Sequence, residues 1–227
     1  MPKTSINGFK LYYEIEGDGE PLVLIPGFAS GRSLWSRQTP ALSRDFRVIT
    51  FDPRGISESD KPEGPQTIGL LADDLAHLLQ ALGIASAHIV GVSFGGFVAQ
   101  EFALKYPSMT RKLVLVCTSF GGPNHVTSER VELASIRALN SSQFDAAASF
   151  NVESRVERIS SPTLVVSGDA DEIVPVQNSR NLAAKIPGAK LRIVEGGSHT
   201  FFIDRAADFN RIVTEFLCLL CLSVALI

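Results

Sequence analysis

The chain has 227 residues and a formal net charge of −3, from 21 basic and 24 acidic side chains. That length is enough for one sheet buried between two helical layers without a second domain, and the dispersed, slightly acidic charge excludes the basic footprint of a nucleic-acid binder. The opening MPKTSINGFKLYYEIEGDGE has neither an apolar h-region nor a small-residue cleavage site, so the expected location is cytoplasmic.

SINGFKLYYEIEG reads as a β-hairpin closed by Asn7-Gly8 in a type I′ turn. PLVLIPG at 21–27 is a continuous apolar run of strand length, and helical spacing follows over 34–42. RVITFDPRG from Arg47 is the next strand, and Ile68 to Leu82 the next helix. AHIVGVS from Ala87 leads into a helix from Phe94 to Tyr106, and KLVLVCTS from Lys112 is again a strand. After an interruption, TLVVSGDAD from Thr163, a helix over Gln177 to Ile186, KLRIVEGGSH from Lys190 and a helix from Asp208 complete the chain. Strands apolar on both faces and alternating with helices predict an α/β fold, a mostly parallel central sheet flanked by helices. The loops at the carboxyl ends of such strands are where a site is expected.

The interruption, 119–161, has no strand signal, whereas SERVELASIRALNSSQFDAAASF has helical composition and spacing. It predicts a reduced cap of one or two small helices at about 120–160, since a structureless loop of that length is uncommon in a compact domain. Residues 1–227 are read as a single domain that ends in an apolar tail, FLCLLCLSVALI at 216–227. The tail is shorter than the roughly 17 to 25 residues that cross a bilayer. It reads as the end of a terminal helix packed on the sheet, with a homo-oligomeric contact expected through the tail rather than a membrane surface. The three cysteines, Cys117, Cys218 and Cys221, are too few and too clustered for a disulfide framework.

Chemistry concentrates where the period changes from strand to helix, at Gly91-Val92-Ser93-Phe94-Gly95. This is the G-x-S-x-G nucleophile elbow, which holds a serine on a sharp, strained bend with its hydroxyl exposed above the sheet and leaves no room for bulky neighbours two positions away. A serine hydroxyl becomes a nucleophile only with a positioned base and a residue to orient that base. Of the four histidines, His77 lies on an amphipathic helix, His88 opens the strand that leads to Ser93 and sits a strand length from it, and His125 lies in the interrupting segment, within reach of a substrate. His199 follows the last strand in the glycine-rich loop VEGGSHTFF, from which it can reach a neighbouring strand's tip. The strand end VVSGDADEIVP offers two acids, Asp169 and Asp171.

These motifs resemble the α/β-hydrolase superfamily, nearest to small esterases, lactonases and enol-lactone hydrolases, from Gly8 to Leu217. LVLIPGF is similar to the family's oxyanion strand and loop, FDPRGISESD to its D-x-R-G-x-G-x-S turn, and PTLVVSGDADEIVP and GGSH to its acid and histidine segments. The chain departs from the pattern at Pro26-Gly27, where His-Gly is usual, at Ser57, where a second glycine is usual, and in the brevity of its cap. The resemblance implies a serine hydrolase acting on esters or lactones of small to medium apolar acyl groups, with Ser93 as nucleophile, His199 as base and Asp171 as acid. Backbone N–H groups of Phe28 and Phe94 are then expected to form the oxyanion hole. Phe28, Phe94, Phe120, Val126, Phe144, Val174 and Phe201 are the expected pocket residues, and no metal or organic cofactor is implied. The alternatives left open are a receptor-like ligand binder and a hydrolase fold whose truncated cap has impaired catalysis.

Overall fold

The computed structural model describes residues 2–129 and 132–218. Eight strands, β1 (Lys3–Ile6), β2 (Phe9–Glu16), β3 (Glu20–Ile25), β4 (Phe46–Phe51), β5 (Ala87–Val92), β6 (Thr110–Val116), β7 (Thr163–Gly168) and β8 (Lys190–Val194), form one sheet in the order β1-β2-β4-β3-β5-β6-β7-β8. The β1/β2 and β2/β4 pairings are antiparallel, and every pairing from β4 to β8 is parallel. The β1/β2 hairpin turns at Asn7 and Gly8 with φ of 44° and 79°, the two positive values that a type I′ turn needs.

Eight α-helices accompany the sheet among the described residues: α1 (Thr39–Leu42), α2 (Ile68–Ala81), α3 (Phe94–Lys105), α4 (Leu133–Leu139), α5 (Ser141–Ala148), α6 (Val176–Lys185), α7 (Phe201–Asp204) and α8 (Ala206–Cys218). Alternate side chains of each central strand face opposite layers. Val23, Ile25, Ile89, Leu113 and Leu115 pack with α2, α3 and α6. Leu22, Leu24, Val90, Val92, Val114 and Val116 pack with α1, α7 and α8. Burial on both faces is why these strands read as unbroken apolar runs.

The helix expected over 34–42 is split into a 3-10 turn at Arg32–Trp35 and the short α1, which has a proline in its first turn. Pro40 can donate no backbone hydrogen bond back into a preceding turn, so a continuous helix through it is disfavoured. The D-x-R-G segment does structural work. Asp52 accepts from the Arg32 N–H and guanidinium, both at 2.8 Å, and Arg54 pairs with the buried Asp74 of α2, at 2.6 Å from Nη2 to Oδ1. Ser57 takes φ 42°, a left-handed conformation that glycine would adopt more readily. The segment between β6 and β7 carries α4 and α5, a short helical cap.

Candidate active site

Ser93 lies between β5 and α3 at φ 53° and ψ −117°. Such a conformation costs a non-glycine residue about 1–3 kcal/mol and persists only where its surroundings impose it. Here the Ser93 N–H donates to the Val116 carbonyl at 2.8 Å, and the Thr118 hydroxyl donates to the Ser93 carbonyl at 2.9 Å. The flanking glycines are required by close approach: a Cβ on Gly91 would come within 2.3 Å of the Gly95 carbonyl oxygen, and one on Gly95 within 2.4 Å of that of Pro26. The elbow is therefore wedged against the end of β3, beside the loop that carries Phe28.

That loop turns at Ala29, with φ 51°, and the Ala29 N–H donates to Gln143 Oε1 of α5 at 2.7 Å, which fastens the loop to the cap. The Phe28 and Phe94 rings meet edge to face with centroids 5.9 Å apart. Neither the Phe28 nor the Phe94 backbone N–H has a protein acceptor among the described residues.

β7 and β8 bring Asp171 and His199 together. Asp171 Oδ1 accepts from the N–H groups of Ile173 and Val174 at 2.9 and 2.8 Å, and its Oδ2 lies 2.8 Å from His199 Nδ1. Burial by itself would raise the Asp171 carboxyl; the hydrogen bond and charge of His199, with the two backbone donors, outweigh it and hold the carboxyl below its ordinary range. Asp169 instead accepts from the Gly196 N–H at 2.6 Å, which ties the two loops together. The loops touch where a Cβ on Gly168 would lie 1.9 Å from the Gly197 carbonyl oxygen.

Cys117, at the end of β6, was not anticipated in this cluster. It is fully buried at φ 46°, and its sulfur lies within 4.8 Å of ligating atoms of Asp171 and His199. Burial and the Asp171 charge push its thiol well above the usual range, so it is a neutral neighbour of the pair. These three are the one group among the described residues whose atoms gather as metal ligands do, but both Asp171 oxygens are already engaged by donors of the protein.

Ser93 and His199 open into the same cavity of about 680 Å³. Phe28, Phe94, Phe144 and Val174 line it, together with Leu34, Phe97, Ile136, Leu139, Ile173 and Phe202. Its size and mainly apolar walls are those of a small-molecule site. The rim is open, since Leu133 and Leu139 of α4 and Ile173 are 63%, 72% and 46% exposed.

Phe120, Val126 and Phe201 do not line the cavity. Phe120 is buried in the core beneath Lys185, whose Nζ lies 5.3 Å from its ring centroid. Phe201 packs edge to face on Phe209 at 6.0 Å, and Phe202, one position on, takes the cavity wall in its place. Val126 is held through its backbone by Asn178, in two bonds of 2.8 Å. Of the other histidines, His77 bonds the Asp73 carbonyl within α2 and His88 bonds Glu20, while His125 lines the cavity. Cys221 lies outside the described residues, as does the tail from 219 on, and no helix among the described residues is long and apolar enough to cross a membrane.

The family model described as alpha/beta hydrolase fold matches residues 20–157, and one described as serine aminopeptidase S33 matches 143–206. The chain is 28% identical to a putative carbamate hydrolase RutD of Stutzerimonas stutzeri, over 95% of this chain and 99% of that protein. That alignment runs over 265 positions against the 227 residues of this chain, so the relative carries segments that are missing here. A poly(3-hydroxyalkanoate) depolymerase of Ectopseudomonas oleovorans is 31% identical over 87% of this chain and 84% of its own. Among solved structures, the enol-lactonase from Burkholderia xenovorans LB400 superposes with a TM-score of 0.83 at 28% identity, covering 95% of this chain and 99% of that one. With its mostly parallel sheet, its elbow between β5 and α3 and a matching profile over more than half its length, the chain belongs to the α/β-hydrolase family, and it is a hydrolase of that fold.

Proposed function

We propose that the protein is a serine hydrolase that cleaves carboxylic esters or lactones of small to medium apolar acyl groups through an acyl-enzyme. The observation that carries this reading is the held imidazole: His199, oriented through Nδ1 by Asp171, opens into the same cavity as Ser93 on its strained turn. In the proposed reaction His199 Nε2 takes the Ser93 proton as Oγ attacks the carbonyl, then returns a proton to the leaving alcohol, while Asp171 keeps the tautomer and stabilises the imidazolium. The N–H groups of Phe28 and Phe94, which lack protein acceptors among the described residues, are the donors proposed for the oxyanion. Each such donor is typically worth about 2.7–4 kcal/mol of transition-state stabilisation. Water entering through the open rim then hydrolyses the acyl-enzyme by the same steps in reverse.

The relatives' names support an acyl carbon bonded to oxygen, since a carbamate, a polyester and an enol lactone all present one. The apolar walls favour an uncharged acyl group over a charged one. The test is a panel of p-nitrophenyl alkanoates, lactones and carbamates with the wild type and Ser93→Ala, alongside labelling by a fluorophosphonate. The expected result is sustained ester or lactone turnover, a loss on the order of 10⁶-fold in kcat in the variant, and labelling that disappears with Ser93. Labelling that persists in Ser93→Ala removes Ser93 from the mechanism. Saturable binding of these compounds without turnover favours the receptor-like alternative.

A further inference from the structure

His125 is a half-buried imidazole in the wall of a cavity that is otherwise mainly apolar. Apart from the Ser93 nucleophile, the other hydroxyl groups of that wall are spent or in solvent. Ser30 donates to the Phe28 carbonyl, Thr118 to the Ser93 carbonyl and Thr200 to Asp204, while Thr127 is exposed.

The partners of His125 define its tautomer. Its Nδ1 lies 2.9 Å from Ser119 Oγ, and that same oxygen accepts from the Gly121 N–H at 3.1 Å. Ser119 is buried, and His125 Nδ1 is the acceptor within reach of its hydroxyl proton among the described residues. If Nδ1 carried the proton instead, the buried hydroxyl would be left with nothing to donate to, which is the costlier arrangement. The hydroxyl therefore donates to Nδ1 and the ring proton sits on Nε2. Burial lowers the affinity of this imidazole for a second proton, in keeping with a neutral ring.

The ring is also held in place. Gln100 Nε2 donates to the Ser119 carbonyl at 2.8 Å, the His125 N–H donates to the Gly122 carbonyl at 3.2 Å, and Asn178 clamps the next residue, Val126, from both sides. Nε2 itself has no protein partner among the described residues.

We propose that His125 forms a hydrogen-bond subsite in which Nε2–H recognises an acceptor oxygen carried by the substrate away from its reacting carbonyl, so that the preferred acyl compounds are oxo-, hydroxy- or ether-substituted. This rests on the ester-hydrolase reading of the same cavity. A fixed donor in an apolar wall keeps its hydrogen bond with such a substrate and loses it when a plain alkyl chain displaces water, which is how a polar site rejects an analogue that lacks its partner.

The test compares p-nitrophenyl hexanoate with its 3-oxa, 4-oxa and 5-oxa analogues. The readout is the ratio of kcat/KM for each ether to that for the all-carbon ester, which removes effects common to both. For at least one oxygen position the ratio is expected to fall about two- to tenfold in His125→Phe, the range for one neutral hydrogen bond. Ser119→Ala, which frees the tautomer, is expected to lower it partway, and His125→Gln, which keeps an N–H donor, to restore part of it. Should His125→Phe fail to fold, as judged by its melting curve, Ser119→Ala and His125→Gln carry the same comparison. A ratio unchanged at every position, with hexanoate turnover retained, overturns the subsite. The matching methyl esters are also titrated calorimetrically into Ser93→Ala and into Ser93→Ala combined with His125→Phe. If wild type turns over none of the esters the hydrolase reading fails, and the subsite is then judged by whether the ether's binding advantage disappears with His125.

Discussion

Asp169 and Asp171 are two residues apart on one strand end, and their partners and their burial distinguish them. Asp171 has two backbone donors on one oxygen and His199 on the other, with its side chain withdrawn from solvent, whereas Asp169 is exposed and bonds the Gly196 N–H. Replacing a carboxylate that accepts from Nδ1–H by an amide turns the imidazole to the other tautomer or leaves it unbonded. Asp171→Asn is therefore expected to lower kcat by something on the order of 10⁴, the loss known for a triad histidine in the wrong tautomer. Asp169→Asn is expected to leave kcat near the parent value and to lower the melting temperature slightly, since an exposed charged bond contributes at most about 1 kcal/mol. Steady-state kinetics and thermal melts on the two variants check this, and the reverse ranking would transfer the role to Asp169. What the residue pattern alone could not supply was the burial of each acid and the third neighbour, Cys117. That thiol reaches the pair only because β6 and β7 are adjacent in the sheet, a fact of topology rather than of any local motif.

The elements meet the candidate site at their carboxyl ends, and the tightest meeting is between the loops after β7 and β8. With a Cβ on Gly168 placed 1.9 Å from the Gly197 carbonyl oxygen, which also accepts from the Ala170 N–H at 3.0 Å, the two loops have no slack. Gly168→Ala is expected to push the Asp171 and His199 segments apart by an ångström or so and to lower kcat by about 10², the scale of such a misplacement. Gly188 is the control, since it has φ 70° but open space around its Cβ position. Gly188→Ala is expected to cost about 1–2 kcal/mol of stability through its left-handed backbone and to leave kcat unchanged. Crystal structures of the two variants would show whether the Asp171 to His199 distance moves only in the first. At this scale the central strands, β3 to β7, were legible because burial on both faces makes them largely apolar, and helices α2 and α3 because their apolar residues recur at helical spacing. The stretch 34–42 was less so, as its periodicity conceals the break at 36–38, just ahead of Pro40. The pocket was half legible for a related reason: an aromatic in a loop is apolar whichever way it faces. Phe201 and Phe202 are adjacent and chemically identical, and the placement of α7 against α8 decides which meets the cavity and which the core.

Across the whole molecule the layer beneath the sheet is closed by α8, whose Phe209, Val213, Phe216 and Leu217 are all buried. The end of that helix does more than cover apolar surface. Lys112, a buried cation on β6, donates from Nζ to the carbonyl oxygens of Phe216 and Leu217 at 3.0 and 2.7 Å, with the Phe216 ring centroid 5.5 Å from the charge. Stripping these two acceptors removes compensation that the burial of an ammonium calls for. A chain ended at Glu215 loses them and the Phe216 side chain together, and a buried phenylalanine alone is worth about 3–5 kcal/mol. Such a chain is expected to melt well below the parent or to aggregate on expression. A chain ended at Cys218 keeps the two carbonyls and the packed face of α8, and no residue proposed for the chemistry lies beyond His199. It is expected to fold and to hydrolyse esters as the full chain does. Thermal melts and p-nitrophenyl butyrate turnover on the two shortened proteins decide between an α8 that is integral to the core and one that merely ends the chain. Light scattering on the full and Cys218-ended proteins reads, in the same preparations, whether self-association goes with the apolar run at 219–227. Loss of activity on removal of that run alone would place it inside the folded unit after all.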